Sequence, residues 1–281
     1  MLPLYAHLKR RVIVSGTRRI ARQLAGFITG EPCPACGMRR KLLDREPKWP
    51  ELIEQWELSP KWAALFYARE GKFCEWCDAS LRCCQLAKAI VDALNSRLGT
   101  NAACLDSLFD DPRARALAVA EINSVGSLHR FLCRLPNLSY SEYGIETSDV
   151  ASEDLMCLSY SDSSFDLILT SETLEHVPDI DIALNEIHRV LKPAGLHIFT
   201  VPIVMDRPET RQRASIRGGK LVHHAPPSYH GNGSGQQPDL LVFYEFGADF
   251  VERCRRAGFN VRLACSEANA ALVVFITSRN V

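Results

Sequence analysis

The chain has no excess charge of either sign and no long apolar run, and both absences narrow what it can be. Its 281 residues hold 33 Lys and Arg against 33 Asp and Glu. This balance argues against a protein that binds nucleic acid over a broad surface, because such proteins usually carry a basic excess. Apolar runs such as 270–276 are far shorter than the roughly 18 residues of a membrane span. The basic N-terminus lacks the apolar stretch of a signal peptide, which predicts a cytoplasmic protein.

The zero net charge is nevertheless a sum of unlike parts. Residues 1–30 hold six basic residues and no acid, whereas the rest of the chain holds 27 basic residues against 33 acidic ones. Such a basic arm is suited to weak contact with an anionic surface, such as a membrane or a phosphorylated carrier, and a surface helix packed on its own domain is the alternative. Nothing in the sequence indicates the oligomeric state.

The cysteines are unevenly placed as well. Six of the 11 lie within residues 33–84, and the odd total without a secretion signal favours reduced thiols over a disulfide framework. Two Cys-x-x-Cys pairs predict a structural metal site, zinc before iron, because four thiolates satisfy a tetrahedral ion and leave no open position. Buried unliganded cysteines and a redox dithiol are the alternatives, and Cys83 and Cys84 are candidate substitute ligands. The predicted ligands are Cys33, Cys36, Cys74 and Cys77.

The chain divides into two unlike parts, predicted as residues 1–98 and 99–281. The first part holds the basic arm, the cysteine cluster, all four tryptophans and a helical insertion at 49–70 between the cysteine pairs. The second part alternates apolar strand-like runs with helical stretches, which predicts an α/β fold with a mostly parallel sheet and helices on both faces. Helices are predicted at 180–191 and 250–257, and a long loop at 207–238. The predicted strands are 117–122, 138–143, a short one ending at 154–155, 165–170, 196–201, 261–265 and 271–277.

Acidic side chains stand at the carboxyl ends of the first two predicted strands, where ligands bind in open α/β sheets. Glu121 lies near the end of the first strand, and Glu142 ends the second, 21 residues later. This spacing suits a carboxylate that accepts hydrogen bonds from both hydroxyls of a ribose. Asp154 and Leu155 lie at the end of the third strand, where an adenine ring is expected to lie.

The run Ser163-Ser-Phe-Asp-Leu-Ile-Leu-Thr-Ser-Glu-Thr-Leu-Glu-His-Val177, followed by Glu186-Ile-His-Arg-Val-Leu-Lys-Pro-Ala-Gly195, resembles class I S-adenosylmethionine-dependent methyltransferases. The resemblance covers about 115–281 and is most specific at 163–202. It implies a Rossmann-like sheet of seven strands and a site for the methyl donor at the first four strand ends. The segments 229–232 and 243–247 also resemble a bacterial subgroup that joins this domain to an N-terminal Cys-x-x-Cys module.

The resemblance implies a role for each cofactor residue. Glu121 matches the acid of the first motif, Glu142 the acid that holds the ribose, and Asp154 the contact to the adenine amine. Ser171 and Glu172 match the wall beside the methionine part. The full implied cofactor set is Glu121, Asn123, Gly126, Glu142, Tyr143, Asp154, Leu155, Ser171 and Glu172.

The first motif departs from the family pattern. Residues 121–127 read Glu-Ile-Asn-Ser-Val-Gly-Ser, with one glycine where the family has three. Glycine permits positive φ and a close approach of the backbone to a ligand. Asn123 is expected to tolerate the left-handed region, whereas Val125 is harder to accommodate. A weakened, reshaped or lost cofactor site is therefore one of the alternatives.

Histidines and tyrosines near the expected mouth of the site are the candidates for chemistry. Methyl transfer to a hydroxyl needs an aligned acceptor and removal of its proton. His230 is predicted as the base or a substrate contact. His176 is predicted as catalytic, with a hydrogen-bonded structural histidine as its alternative. The predicted substrate contacts are His223, His224, Tyr229 and Tyr244, against the alternative of solvated histidines and packed aromatics.

These observations predict an S-adenosylmethionine-dependent methyltransferase with a zinc module, acting on a small molecule or saccharide, with oxygen as the acceptor atom. The first alternative is a catalytically degenerate methyltransferase-like scaffold that binds a partner through the zinc module. A nicotinamide oxidoreductase is a weaker alternative, because the Gly-x-Gly-x-x-Gly motif of such enzymes is missing.

Overall fold

A computed structural model describes residues 30–46, 50–145, 147–230 and 240–280. Nearly all of the predicted basic arm, and the Gly231–Asn232 part of the segment at 229–232, lie outside the described residues. Within the described ranges, no helix has both the length and the apolar character needed to cross a membrane.

The described part of the chain is built around a mixed sheet of six strands. The six strands are β3 (Val119–Ile122), β4 (Leu138–Ser141), β5 (Phe165–Ser171), β6 (Leu191–Thr200), β13 (Phe259–Cys265) and β14 (Val273–Arg279). Their order across the sheet is β13-β14-β6-β5-β3-β4. Strand β3 pairs in parallel with β4 and β5, and β5 pairs in parallel with β6. Strand β14 is antiparallel to both β6 and β13. The predicted mostly parallel sheet is confirmed.

The sheet has one strand fewer, among the described residues, than the seven that the resemblance implied. The missing strand is the third, before Asp154, where only Ala151 forms a parallel bridge to Ser141. The Thr147 hydroxyl accepts hydrogen bonds from the backbone N–H groups of Asp149 and Val150. A side chain that bonds to nearby backbone groups in this way favours a turn over a strand ladder.

Helices cover both faces of the sheet, as predicted. Helix α7 (Ile180–Val190) begins at Asp179, whose carboxylate accepts from the N–H groups of its first turn, and ends before Leu191. Helix α8 (Phe250–Arg256) is followed by Gly258 at φ +91°. Both helices cover the same face of the sheet, where Leu184 of α7 and Phe250 of α8 lie in one hydrophobic core with Ile168 of β5. Short helices α4 (Leu105–Leu108), α5 (Pro112–Arg115) and α6 (His129–Leu132) complete the second part.

Helix α3 (Leu81–Leu98) covers the opposite face and joins the two parts of the chain. Its Ser80 cap accepts from the N–H of Cys83, and it ends at Gly99 with φ +63°. Its buried side chains lie in one continuous core that contains both Cys33 and Val274 of the sheet. The cysteine-rich part therefore packs on the sheet across the predicted boundary at 98/99, and the division into two domains stays a prediction.

The insertion between the cysteine pairs is helical, as predicted. It contains α1 (Pro50–Gln55) and α2 (Pro60–Gly71), the latter capped by the Ser59 hydroxyl. Two short antiparallel strands flank it, β1 (Leu42–Asp44) and β2 (Lys72–Cys74). Their pairing closes the insertion at its base, which returns the chain to the first cysteine pair.

The predicted long loop at 207–238 is partly wrong, because it contains a β-hairpin. Strands β8 (Ala214–Arg217) and β9 (Lys220–His223) pair across Gly218 and Gly219, both at positive φ. Two residues at positive φ form the turn whose twist matches that of hairpin strands. The remaining short strands are β7 (Arg211–Gln212), β10 (Tyr229–His230), β11 (Leu240–Leu241) and β12 (Tyr244–Glu245).

Candidate functional site

The four predicted metal ligands form one cluster. The sulfur atoms of Cys33, Cys36, Cys74 and Cys77 all lie within 4.8 Å of one another. Cys33 Sγ is 3.6 Å from Cys77 Sγ, close to the edge of about 3.8 Å in a tetrahedron with Zn–S bonds of about 2.3 Å. That separation is far longer than a disulfide bond of about 2.05 Å. All 11 cysteines lie in the described ranges, and all are free thiols.

Two matching turns present these sulfurs. Gly37 at φ +70° donates its N–H to the carbonyl of Cys33, and Asp78 at φ +59° does the same to Cys74, each at 2.8 Å. A Cβ on Gly37 would lie 2.8 Å from Cys104 Sγ, so the first turn requires glycine on steric grounds also. Each Cys-x-x-Cys pair thus aims both its thiols into the cluster. Hydrogen bonds from the other thiols, that of Cys36 first, lower the pKa of Cys33.

The two candidate substitute cysteines differ in their surroundings. Cys84 borders the cluster, with its Sγ 3.8 Å from Cys33 Sγ. Cys83 faces the other way and lies 3.8 Å from the carbonyl oxygen of Val125, in the first-motif loop. Of the two, only Cys84 is close enough to replace a ligand.

The glycine-poor first motif forms a closed loop without strain at Val125. Asn123 adopts φ +56°, which confirms the expected left-handed conformation, and its Oδ1 accepts from the N–H of Tyr143 at 2.8 Å. Val125 is buried at an ordinary φ of −77°. Gly126 at φ +67° is the second residue of the loop in the left-handed region. Asparagine therefore supplies a left-handed conformation that glycine usually adopts.

The two strand-end acids tie this loop down. Glu121 is fully buried and accepts from the N–H of Val125 at 2.9 Å, while its other oxygen lies 2.6 Å from His129 Nδ1. Hydrogen bonds to Cys133 and to Glu121 raise the pKa of His129 to about 10. Glu142 accepts from the N–H of Ser124 at 3.1 Å. Both acids hold the protein's own backbone in this structure, and their predicted contacts to the cofactor stay predictions.

A cavity of about 230 Å³ opens at the carboxyl ends of these strands. It brings together four predicted cofactor residues, Asn123, Tyr143, Asp154 and Leu155, with His176. Its volume is below the ~300–1,000 Å³ of sites for whole drug-sized ligands, so it suits a nucleoside-sized part of one. The remaining wall residues are Glu153, Met156, Thr173, Val177, Pro178, Leu240, Leu241 and Phe243.

Two arginines from the cysteine-rich part hold the last residue of β5, Ser171, and the residue after it, Glu172. Arg69, 1% exposed, donates to both oxygens of Glu172 at 2.7 and 2.9 Å. Arg82 donates to Ser171 Oγ and, at 2.9 Å, to Glu70. Glu172 itself adopts φ +51°. The predicted wall residues Ser171 and Glu172 are thus joined to α2 and α3, a link across about 100 residues of chain that no local pattern predicts.

Beside the cavity lies a buried cluster of Glu175, His176 and His230. Glu175 Oε1 is 3.7 Å from His176 Nε2 and 3.4 Å from His230 Nε2, and the two imidazole rings are 4.4 Å apart. His176 Nδ1 lies 2.9 Å from the carbonyl oxygen of Leu241. Burial raises the pKa of Glu175 to about 8 and lowers that of His176. The structure brings the two predicted catalytic histidines together around an acid that had no assigned role.

The four predicted substrate contacts are not among the described residues that line the cavity. His224 bonds to Ser215 Oγ at 2.8 Å within the hairpin, and His223 and Tyr229 are exposed. Tyr244 is buried, and its hydroxyl donates to the carbonyl of Pro178 at 3.0 Å. Tyr244 therefore supports the cavity wall from behind. Direct contact of these four with a substrate stays a prediction.

A known family model matches the part of the chain that carries much of this site. Residues 126–199 match the family model of a methyltransferase domain. The match runs from the glycine of the first-motif loop to β6, and so includes β4, β5 and the turn that carries Glu175 and His176. The methyltransferase-domain match covers about a quarter of the chain.

Curated relatives match the chain over short segments. The chain is 52% identical over 42 residues to a demethylmenaquinone methyltransferase of Lactobacillus johnsonii, covering 15% of this chain and 17% of that protein. It is 32% identical over 94 residues to a sarcosine/dimethylglycine N-methyltransferase of Halorhodospira halochloris, covering 28% and 33%. The chain thus spans a third or less of the length of these relatives.

Among solved structures, the chain is similar to the 1,6-didemethyltoxoflavin-N1-methyltransferase of Burkholderia thailandensis. That comparison has a TM-score of 0.40 and 16% identity, and covers 70% of this chain and 78% of the other. An S-adenosylmethionine-dependent methyltransferase of Mesorhizobium loti gives a TM-score of 0.38 at 14% identity, covering 58% and 91%.

Proposed function

We propose that the protein transfers a methyl group from S-adenosylmethionine to a hydroxyl oxygen of a small molecule or saccharide. The observation that carries the proposal is the cavity at the strand ends, which joins Asn123, Tyr143 and Asp154 to His176. Its apolar wall and its Asp154 carboxylate fit an adenosine group, which needs stacking surface and an acceptor for its amine. The methyltransferase-domain match over 126–199 supports the same function.

The bound cofactor would supply the methyl group on a positively charged sulfur. The acceptor oxygen bonds to the methyl carbon while the carbon–sulfur bond breaks, and the sulfur keeps the electron pair of that bond. The acceptor hydroxyl must lose its proton, which is the task of an activating group in hydrogen-bond reach. We assign this activation to the cluster of Glu175, His176 and His230, since His176 both belongs to the cluster and lines the cavity.

The test combines cofactor binding with turnover. Calorimetry with S-adenosylmethionine is expected to show binding, and the His230→Ala protein is expected to bind the cofactor yet lose methyl transfer to a panel of sugars and phenols. His188→Ala, on the outer part of α7, serves as the matched histidine control. Unchanged turnover in His230→Ala would contradict the role of the cluster.

We also propose that the four-cysteine cluster holds one structural zinc ion. Two features support zinc in a closed site. Cys33 Sγ and Cys77 Sγ are 3.6 Å apart, and all four ligand atoms of the described cluster are cysteine sulfurs. Elemental analysis should find about one zinc per chain bound to these thiols. A stably folded, metal-free protein would contradict the proposal.

One observation favours a second candidate, a degenerate scaffold that binds a partner through the zinc module. Ser171 and Glu172, which the resemblance assigns to the cofactor, are engaged by Arg82 and Arg69 instead. If these bonds persist when the cofactor is offered, the methionine part loses its wall. No calorimetric binding at millimolar S-adenosylmethionine would select the scaffold.

A further inference from the structure

Glu175 is a buried acid whose carboxylate is not stabilised by hydrogen bonds from the described residues. Its side chain is fully buried, and neither carboxylate oxygen has a hydrogen-bond partner within the described part of the chain. An ionised carboxylate in such surroundings is very unfavourable unless it is paired, hydrogen-bonded or bound to a metal. This acid lies between two histidines, so either a proton or a positive group is expected beside it.

The orientation of His176 narrows what that positive group is. Its Nδ1 contacts the carbonyl oxygen of Leu241 at 2.9 Å, and a carbonyl accepts only, so Nδ1 carries the proton. Nε2 of the neutral ring is then an acceptor, and it lies 3.7 Å from Glu175 Oε1. Two acceptors that face each other repel unless a cation or a proton lies between them. A histidine that donates one ring N–H to a carbonyl and offers the other nitrogen is the usual arrangement of a metal ligand.

We propose that Glu175, His176 and His230 bind a divalent cation beside the cavity, at the part of its wall that His176 forms. Their ligand atoms all lie within 4.8 Å of one another, and His230 Nε2 is 3.4 Å from the shared Glu175 oxygen. Two imidazoles and one carboxylate suit first-row ions from manganese to zinc better than calcium or magnesium. This site differs from the cysteine cluster in position, in ligand type and in number of ligands.

The role of this ion rests on the proposed function. The site also defines the class of acceptor that the protein would methylate. Three protein ligands leave coordination positions open, unlike a closed four-ligand site. Because His176 lines the cavity, an acceptor bound at its His176 side, next to the adenosine group, would have access to the ion. The ion would bind the acceptor oxygen and lower the pKa of its hydroxyl. The proton passes to water, the oxygen bonds to the methyl carbon, and the broken carbon–sulfur bond leaves its electron pair on sulfur. The substrates are therefore hydroxyl compounds that bind metal, and His230 is a ligand instead of the base.

The test measures metal directly. The full-length protein is equilibrated by dialysis against manganese chloride, and all first-row metals bound per chain are counted by elemental analysis. Wild type is expected to hold one equivalent more than Glu175→Gln, which keeps the side-chain volume and removes the charge. The matched control, Glu252→Gln on the surface of α8, is expected to hold as much as wild type. His230→Gln is the second variant, for the case in which Glu175→Gln does not fold.

Equal metal content in wild type and a folded cluster variant would overturn the site, and would mean that a proton occupies it. The outcome is separable from that of the proposed function. Extra metal without methyl transfer to any hydroxyl acceptor retains the site and rejects the function. Methyl transfer without extra metal rejects the site and retains the function.

Discussion

The four-cysteine cluster and the Glu175 cluster are both groups of metal-ligating side chains, but they differ in how the chain assembles them. The cysteines come from two tight turns and offer four ligands of one kind in a largely buried site. Glu175 and His176 come from the turn after β5, whereas His230 comes from β10, and one of the three lines a cavity. A closed set of ligands stabilises the fold, and an open set beside a cavity is available for chemistry.

Arg69 connects the two regions physically. It lies on α2, between the two cysteine pairs, and its guanidinium holds Glu172, three residues before Glu175. It also donates to the carbonyl oxygens of Val201 and Ala271. Folding of the cysteine-rich part therefore helps to position the turn that carries the Glu175 cluster.

The largest expected effect comes from opening the closed site. Cys74→Ser is expected to abolish zinc binding and cooperative folding of the cysteine-rich part, because structural zinc contributes about 10–16 kcal/mol of apparent binding free energy. Zinc content and thermal unfolding measure it. Cys157→Ser, at an exposed position, is the control and should change neither. A Cys74→Ser protein with wild-type unfolding would show that the cluster is not a structural metal site.

The next largest effect comes from cutting the link between the regions. Arg69→Met leaves the largely buried Glu172 without its partner, so a loss of about 3–5 kcal/mol in the free energy of unfolding is expected. Lys61→Met is the matched control, since its bond to Asp206 is solvent-exposed and worth about 1 kcal/mol or less. Urea unfolding compares the two. Equal losses would mean that the two regions fold independently of this contact.

Metal removal should affect methyl transfer through the Glu175 cluster before it affects stability through the four-cysteine cluster. A chelator at moderate concentration is expected to empty the Glu175 cluster first, because thiolates hold zinc strongly. Methyl transfer should then fall at least tenfold, because loss of the outer-shell partners of metal ligands alone typically costs about 10–100-fold in affinity or activity, while the unfolding temperature stays unchanged. Added manganese should restore turnover. A parallel fall of turnover and unfolding temperature would assign the activity loss to the cysteine cluster instead.

The smallest expected effect concerns the first-motif loop, which touches the cysteine-rich part through Cys83. Asn123→Ala loses the hydrogen bond to Tyr143 and also places alanine in the left-handed region. That conformation costs an alanine about 1–2 kcal/mol in free energy. Asn123→Gly loses the bond alone, about 1 kcal/mol. Cofactor affinity by calorimetry should therefore fall in the order Asn, Gly, Ala. Equal affinities for Gly and Ala would show that positive φ at this position is not required for binding.

Local patterns were sufficient for much of the fold. The helix predicted at 180–191 follows from its apolar spacing and is observed at 180–190, and the sheet strands follow from apolar runs. The third strand was wrong because the Thr147 turn bonds compete with pairing. The hairpin was missed because the composition of 207–238 concealed the Gly218–Gly219 turn. In the site, Asn123 was assigned its conformation correctly, while Glu175 had no role until His230 was placed beside it.

The sequence by itself determined the α/β class, the two cysteine pairs and the left-handed position at Asn123, because each depends on residues a few positions apart. Only the tertiary structure decided that Arg69 reaches Glu172 and that His230 joins Glu175 and His176. These contacts join segments separated by 103 and about 55 residues, and no periodicity or spacing specifies such pairs. Their energies depend on burial, which exists only once the sheet, α2 and α3 have packed together.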